Sequence, residues 1–389
     1  MKNFHLSKTI NKITGLFIIL ILLSVDSSFA QTKNDIVNGI EETIESKILN
    51  EKRIITIKLP DGYGETSQKY PVIYLLDGKA NFQHVYGAVD FLSRRRIIPQ
   101  TIIVSVHNID RTKDFSPVHD VRLPTSGGAE NFLNFVSEEL TKHVDKNYKT
   151  SDFSVIIGHS FGGTFTTYSL LTKPEVFDAY IAISPYIHFA DSYLVKEAKN
   201  SLKSKYDNQK FFYVTVGNEP KYYQALAEFS DLVNKKSNKT IDYKYVKMED
   251  ENHISIPYIS VFNGLKFIFS DWQINQETFK QGLAAIDKHY KLVSNKYGLE
   301  LETPENIINT LGYNHLQHND IDNAIEIFIE NVKRYPLSPN VYDSLGEAYE
   351  NNKQLKLAQE NYQKAYDLAS KQNNINTPVY LKNLNRVHE

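Results

Sequence analysis

The stretch IIGHSFGGTF, residues 156–165, holds a serine with a glycine two positions before it and another two positions after it. It continues the apolar run FSVIIG, which is typical of a buried strand, and it leads into FGGTFTTYSLLT, which is typical of a helix. A serine at such a strand-to-helix turn adopts a strained backbone that exposes its hydroxyl above the sheet. This context predicts that Ser160 is a nucleophile rather than an ordinary serine of a glycine-rich turn.

Short runs rich in β-branched and aromatic residues recur before and after this motif, with helical patterns between them. They span residues 53–59, 71–76, 101–106, 179–184, 211–216 and 241–248. Most are continuously apolar, which is typical of strands buried on both faces of a sheet. Between two of them, residues 129–148 place apolar side chains at helical spacing. The sequence therefore predicts an α/β fold with a mostly parallel sheet covered by helices.

A serine hydroxyl is a weak nucleophile, so it needs a base that is oriented by a third group. In one known arrangement the acid and then the histidine follow the serine along the chain. His253 comes directly after the last strand candidate, whereas His188 comes too early for an intervening acid-bearing strand and His289 lies in a helical stretch. We therefore predict that His253 is the base.

The acid is expected after the preceding strand, where the chain supplies Glu219. Asp231 lies in a helical pattern, and both Asp250 and Glu251 are too near His253 in the chain to reach its far nitrogen easily. Glu219 is therefore our prediction, and a solvated loop or helix-cap carboxylate is the alternative.

Acyl transfer also needs N–H groups directed at the oxyanion. The backbone N–H of Phe161 is one candidate, and that of Lys79, after the run PVIYLLDG, is the other. On the same rim, the segment NIDRTKDFSP contains Arg111 and Asp114. Either these two residues pair and brace the loop, or both belong to the substrate-binding site and Arg111 receives an anionic group of the substrate.

The composition restricts the class of function. A formal net charge of −2 argues against a nucleic-acid partner. The chain has no cysteine, which excludes disulfides, a cysteine nucleophile and thiolate metal sites. Its histidines are scattered without an HExxH pattern, and GHSFGG lacks the lysine of a phosphate-binding loop. We therefore predict neither a metal nor a cofactor.

Residues 1–30 have the pattern of a secretory signal. Three lysines precede the apolar run 13–25, and the small residues of Ser28-Phe29-Ala30 predict cleavage before Gln31. The mature protein is then expected to be periplasmic or secreted without a stable membrane anchor. An uncleaved anchor is the alternative.

Beyond residue 300 two segments align at a period of 34 residues. The aligned pairs include Leu311/Leu345, Gly312/Gly346, Ala324/Ala358 and Phe328/Tyr362. This pattern resembles the tetratricopeptide repeat, in which small residues let two helices cross closely while an aromatic side chain fills the gap. Helical segments near 275–296 and 378–388 are expected to pack as caps. The predicted domains are therefore a signal peptide at 1–30, an α/β domain at 31–271 and a helical domain at 272–389.

Six motifs in order, from YPVIYLLDG to ENHISIPYISVFNGLKFIF, resemble the putative esterase family of α/β-hydrolases over roughly residues 40 to 270. The family includes siderophore, feruloyl and acetyl xylan esterases as well as mycolyltransferases. The resemblance implies an α/β-hydrolase fold and a lidless or lightly lidded serine hydrolase acting on esters. It places Ser160, Glu219 and His253 on the triad motifs, Lys79 on an oxyanion position, and Arg111 and Asp114 on an Arg-x-x-acid motif.

Two functional hypotheses follow. The first is an exported serine esterase with a Ser-His-Glu triad, acting on a small-molecule or carbohydrate-linked ester such as a siderophore ester or an acylated carbohydrate; an acyltransferase would use the same residues. The second is a catalytically idle hydrolase-fold scaffold whose repeats bind a protein partner.

Overall fold

The computed structural model describes residues 39–64, 67–202, 206–237 and 240–387, so the predicted signal segment lies outside the described residues. The strands of the described chain are β1 (Ile40–Ser46), β2 (Glu51–Lys58), β3 (Tyr70–Leu75), β4 (Ile102–Val106), β5 (Thr150–His159), β6 (Ala179–Ile183), β7 (Lys210–Val216) and β8 (Ile241–Lys247). The helices up to residue 268 are α1 (Gly78–Arg94), α2 (Arg111–Phe115), α3 (Ala129–Phe135), α4 (Thr141–Asn147), α5 (Phe161–Thr172), α6 (Phe189–Ser201), α7 (Pro220–Ser237) and α8 (Ile256–Ile268).

These strands form a single sheet in the order β1-β2-β4-β3-β5-β6-β7-β8. β1, β2 and β4 pair antiparallel, and from β4 through β8 the neighbouring strands run parallel. The carboxyl ends of the parallel strands therefore meet at one edge of the sheet, which is where ligands bind in such folds. The predicted α/β fold with a mostly parallel sheet is confirmed.

The burial of the central strands explains their composition. Every residue of β3, β4, β6 and β7 is buried, since helices cover both faces of the sheet. β1 differs because it is an edge strand whose sequence, IEETIES, is mostly polar and charged, and most of its side chains are at least partly exposed. The sequence analysis did not predict this strand.

The predicted crossover helix over residues 129–148 is present. It is formed by α3 and α4, which a π-helical turn at Val136–Leu140 joins. Its apolar stripe packs against the sheet, and Phe132, Phe135 and Val144 are fully buried. The period of the apolar residues therefore predicted both the helix and its buried face.

The C-terminal region is helical from α9 (Gln276–Lys280) onwards. It continues as α10 (Leu283–Tyr297), α11 (Glu305–Gln317), α12 (Ile321–Arg334), α13 (Pro339–Asn351), α14 (Leu355–Lys371) and α15 (Thr377–Arg386). A Cβ on Gly312 would lie 2.5 Å from the ring of Phe328, and one on Gly346 would lie 2.8 Å from the ring of Tyr362. Helices therefore cross closely at the same place in both 34-residue segments. The assignment to tetratricopeptide repeats stays a prediction.

Helix α10 connects the helical region to the sheet. The ring of Tyr297 contacts that of Phe153 on β5 edge-on, at 4.9 Å between centroids, and its side chain is fully buried. Nearer the start of the helix, Asp287 accepts two hydrogen bonds from Arg334 of α12, at 2.6 and 2.9 Å. α10 thus packs in the core of the sheet as well as against the helices that follow it, and the domain boundary near residue 272 stays a prediction.

Over the described ranges, no helix combines the length and the apolar character that a membrane span requires.

Candidate active site

Ser160 lies in a sharp turn between β5 and α5. Its backbone has φ 58° and ψ −119°, a region that side chains other than glycine rarely adopt. The turn is held by hydrogen bonds from Ser160 N to Ile183 O at 2.8 Å and from Thr164 N to Ser160 O at 2.9 Å. Such strain persists only where the surrounding structure imposes it, and it is concentrated at functional sites.

The glycine that precedes this turn is required by close packing. A Cβ on Gly158 would lie 2.2 Å from the carbonyl oxygen of Gly162 and 2.7 Å from Thr166 Oγ1. The strand and the helix therefore approach each other more closely than any side chain at residue 158 would allow. This packing fixes the direction in which the chain leaves Ser160.

Glu219 and His253 are brought together by the loops after β7 and β8. These loops are joined by hydrogen bonds from Met248 N to Val216 O at 2.8 Å and from Asn218 N to Glu251 O at 2.6 Å. His253 Nδ1 consequently lies 2.5 Å from Glu219 Oε1. Glu219 is 7% exposed, whereas the side chain of His253 is 31% exposed. A buried carboxylate therefore orients a more accessible imidazole.

The other acids considered for this role lie elsewhere. Asp231 is exposed on α7, and Asp250 is exposed in the loop. Glu251 Oε2 accepts a hydrogen bond from Ser255 Oγ, two residues beyond His253. Glu219 is thus the carboxylate that contacts His253 Nδ1.

The ring of His253 lies against that of His159, the residue before Ser160, with 4.6 Å between centroids. This contact places the base candidate beside the serine turn. Burial, and secondarily the charges of His253 and Arg111, lowers the pKa of His159 to about 4. His159 is therefore neutral at neutral pH and adds no positive charge to the site. The sequence analysis did not single it out.

The two predicted oxyanion donors occupy helix N-termini. Phe161 is the first residue of α5 and Lys79 is the second residue of α1, and N–H groups in a first helical turn have no intrahelical acceptor. Leu76 N donates to Ile157 O at 3.0 Å, which holds the end of β3 beside the end of β5. The next residue, Asp77, has left-handed backbone angles of 54° and 41° and turns the chain into α1.

Arg111 braces this turn. Its Nε and Nη2 donate to the two carboxylate oxygens of Asp77, at 2.7 and 3.2 Å, and Nη2 also donates to His159 O at 3.1 Å. Asn108 Nδ2 donates to the same carboxylate. Arg111 therefore links the loop after β3 to the end of β5. Its side chain is 37% exposed, so it also reaches the surface.

The prediction that Asp114 binds substrate is wrong, as is the alternative that it pairs with Arg111. Asp114 is 1% exposed and accepts two hydrogen bonds from Arg53 of β2, at 2.7 and 2.8 Å. A carboxylate that is buried and paired in this way has no surface left for a substrate. Its contact with Arg53 ties the segment NIDRTKDFSP to β2.

Aromatic side chains form a wall beside His253. The ring of Tyr222 is stacked on that of His253, with centroids 6.0 Å apart, and the ring of His188 contacts both Tyr222 and Tyr186. Tyr186 in turn meets the ring of Phe161 edge-on at 5.4 Å. This wall, formed by Phe161, Tyr186, His188 and Tyr222, lines one side of His253; Tyr222 is buried and the other three side chains are partly exposed.

Within the described ranges, no group of three or more histidine, aspartate or glutamate side chains is arranged to hold a metal ion.

Comparison with known proteins gives the chain its family. The model of the family described as putative esterase matches residues 46–254, more than half of the chain. The ferri-bacillibactin esterase BesA of Bacillus subtilis is 29% identical over 226 residues, an alignment that covers 51% of this chain and 78% of that protein.

Two solved structures extend the comparison. The IroE-like serine hydrolase of Shewanella oneidensis is 26% identical with a TM-score of 0.63, and the match covers 72% of this chain and 95% of that one. An uncharacterised protein of Capnocytophaga ochracea is 20% identical with a TM-score of 0.68, and the match covers 90% of this chain and 99% of that one. The second match shows a shared fold over most of the chain's length.

Proposed function

This chain belongs to the putative esterase family and hydrolyses esters; from that premise we propose that it works through an acyl-enzyme on Ser160, with His253 as the base and Glu219 as the acid that orients it. The observation that carries this proposal is the contact of 2.5 Å between His253 Nδ1 and Glu219 Oε1, beside the strained turn of Ser160. A serine nucleophile needs a base beside it and an acid that contacts and orients that base.

In the first half of the reaction, Ser160 Oγ attacks the carbonyl carbon of the ester while His253 Nε2 accepts the hydroxyl proton. The carboxylate of Glu219 stabilises the imidazolium that forms. The tetrahedral intermediate then collapses, its bond to the leaving alcohol breaks, and His253 returns the proton to that alcohol. The acyl group remains on Ser160 as an ester.

In the second half, a water molecule replaces the alcohol. His253 accepts a proton from the water as its oxygen attacks the acyl carbon, and it then returns that proton to Ser160 Oγ as the acid is released. An alcohol in place of water would give acyl transfer through the same residues.

Both intermediates carry a negative oxygen, which we propose is bound by the backbone N–H groups of Phe161 and Lys79. Two helix N-termini meeting at one place favour a developing negative charge. The ion pair between Arg111 and Asp77 supports this role, because Asp77 directly precedes the turn that carries Lys79.

We propose a siderophore ester with aromatic groups as the substrate. BesA of Bacillus subtilis, with which this chain shares 29% identity, is named for a siderophore. The aromatic wall beside His253 supports the aromatic character, since aromatic side chains make edge-on and stacked contacts with planar groups. We also propose export of the mature protein, which its N-terminal sequence predicts.

The test is hydrolysis of p-nitrophenyl acetate and of bacillibactin, with and without iron, by residues 31–389 and by the Ser160→Ala variant. We expect the variant to lose about 10⁴-fold or more of kcat and to resist labelling by a fluorophosphonate. Ser169→Ala is the matched control, because that hydroxyl is buried in α5 without a hydrogen-bond partner in the described structure. Equal activity of Ser160→Ala and the unmodified protein would refute the proposal.

A further inference from the structure

A buried serine that the proposed reaction does not use lies directly behind the acid. Ser184 follows β6, is fully buried, and donates from Oγ to Glu219 Oε2 at 2.6 Å. Its own N–H donates to Thr215 O of β7 at 2.8 Å. Two hydrogen bonds therefore hold Ser184 between the strand end and the carboxylate.

The two oxygens of Glu219 have separate partners. Oε1 contacts His253 Nδ1 at 2.5 Å, while Oε2 accepts from Ser184 Oγ at 2.6 Å and from Gly217 N at 3.2 Å. The carboxylate of a glutamate ends a side chain with three rotatable bonds, so it keeps one oxygen on a given partner more reliably when the other oxygen is held as well. Ser184 provides the shorter of the two contacts that hold it.

The backbone of Ser184 is strained. Its φ of 40° lies in the left-handed region, where glycine is free of strain and other residues are not. A serine there costs backbone energy that a glycine would not. Strained backbone at a buried position beside a reactive group indicates that the side chain has a role.

We propose that Ser184 is a positioning residue for ester hydrolysis: its hydroxyl holds Oε2 of Glu219 so that Oε1 stays on His253 Nδ1. This inference rests on the proposed function, because it assumes that His253 is the base. Ser184 itself contacts neither substrate nor reacting atoms.

The loss of this hydroxyl has a defined effect on the pH profile. Without Ser184 Oγ, the ionised form of Glu219 loses a hydrogen bond that stabilises it. The acidic limb of kcat/KM should then move toward higher pH, whereas a purely structural role would leave that limb in place.

The experiment compares Ser184→Ala, Ser184→Gly and Ser260→Ala in the mature protein, with p-nitrophenyl acetate as the substrate. Alanine keeps the left-handed strain and glycine removes it, while both lack the hydroxyl. Ser260 is the matched control because it is also fully buried, and its Oγ lies 2.8 Å from Thr215 Oγ1 rather than from Glu219.

We expect both Ser184 variants to lose kcat by about 10- to 100-fold, the scale of a lost hydrogen bond to a charged group, with KM changed by less than about 2-fold. The acidic limbs of kcat/KM should move to higher pH by the same amount in both variants. The glycine variant should nevertheless melt at a higher temperature than the alanine variant, because it is free of the backbone strain. Ser260→Ala should lower the melting temperature without moving the limb.

Coupling to the acid gives a second readout. In a Glu219→Gln background, Ser184→Ala should change kcat by less than about 2-fold, because the interaction that it removes is already altered. Unchanged kcat and an unmoved acidic limb in both Ser184 variants would overturn the inference while leaving the proposed function intact. An inactive unmodified protein would refute the proposed function instead.

Discussion

Replacing Arg111 distinguishes a brace from a substrate-binding group, the two roles that its sequence allows. Arg111→Ala removes two hydrogen bonds to Asp77 and one to the carbonyl oxygen of His159. Asp77 is only 9% exposed and would keep Asn108 as its remaining side-chain partner. The variant thus leaves a nearly buried carboxylate with most of its donors gone.

The contacts of Arg111 set the size of the expected losses in stability and in kcat. Each hydrogen bond to a charged group contributes about 1.5–3 kcal/mol, and partial exposure of Arg111 weakens that contribution because water replaces the donors. We expect the free energy of unfolding to fall by about 2 kcal/mol in total. Because Asp77 directs the turn to Lys79, we expect kcat on a neutral ester to fall by about 10- to 100-fold, less than the full loss of one oxyanion donor.

The assay is steady-state hydrolysis of p-nitrophenyl acetate and of a carboxylate-bearing ester, together with urea denaturation. A brace predicts a loss of kcat that is equal for the two esters, with KM nearly unchanged. Arg122→Ala is the control, since Arg122 is 71% exposed and pairs with Asp120 rather than with Asp77. A rise in KM confined to the anionic ester, with normal stability and normal kcat on the neutral one, would refute the bracing argument.

Two further predictions follow from the serine turn. Gly158→Ala should lower the free energy of unfolding by about 1–3 kcal/mol or more, because the added Cβ overpacks the turn, and it should abolish activity. Gly87→Ala is the control, because a Cβ there meets nothing within 4 Å inside α1. In the same urea titration it should raise the free energy of unfolding by about 0.5–1 kcal/mol. Since burial lowers the pKa of His159 to about 4 from roughly 6.5 in the unfolded chain, only the unfolded state binds this proton between those values. The free energy of unfolding should then be fully retained above pH 6.5 and should fall by up to ~3 kcal/mol toward pH 4; His159→Gln should flatten this dependence, and a variant with the unmodified slope would contradict the assignment.

The sheet was predictable because its strands are buried on both faces, so β3, β4 and β7 appear as continuous apolar runs. The edge strand β1 was not, since half-exposed strands carry charged residues that match loops equally well. The candidate site residues Ser160, Glu219 and His253 could be located because loops after parallel strands converge on one edge, so position along the chain translates into proximity.

The partners of these residues could not be predicted in the same way. Ser184 lies 35 residues from the carboxylate that it contacts, and Arg111 lies 34 residues from Asp77. No period of the sequence records such a pairing, because it depends on how neighbouring strand ends are turned. Ser184 and Asp77 do share one feature, a positive backbone φ, but this feature is visible only in the structure.

The contacts of Arg111 and Asp114 show what the Arg-x-x-acid motif of the segment NIDRTKDFSP does. The short helix α2 carries its arginine toward Asp77 at the end of β3, and its aspartate toward Arg53 on β2. One ion pair is therefore partly exposed and the other lies in the core, so the segment is tied to the sheet at two points. A motif with this spacing fixes the loop after β4 against the turn that precedes Lys79. Its residues then act on the proposed oxyanion site through the backbone that they hold, which is why replacing either of them should change kcat rather than substrate affinity.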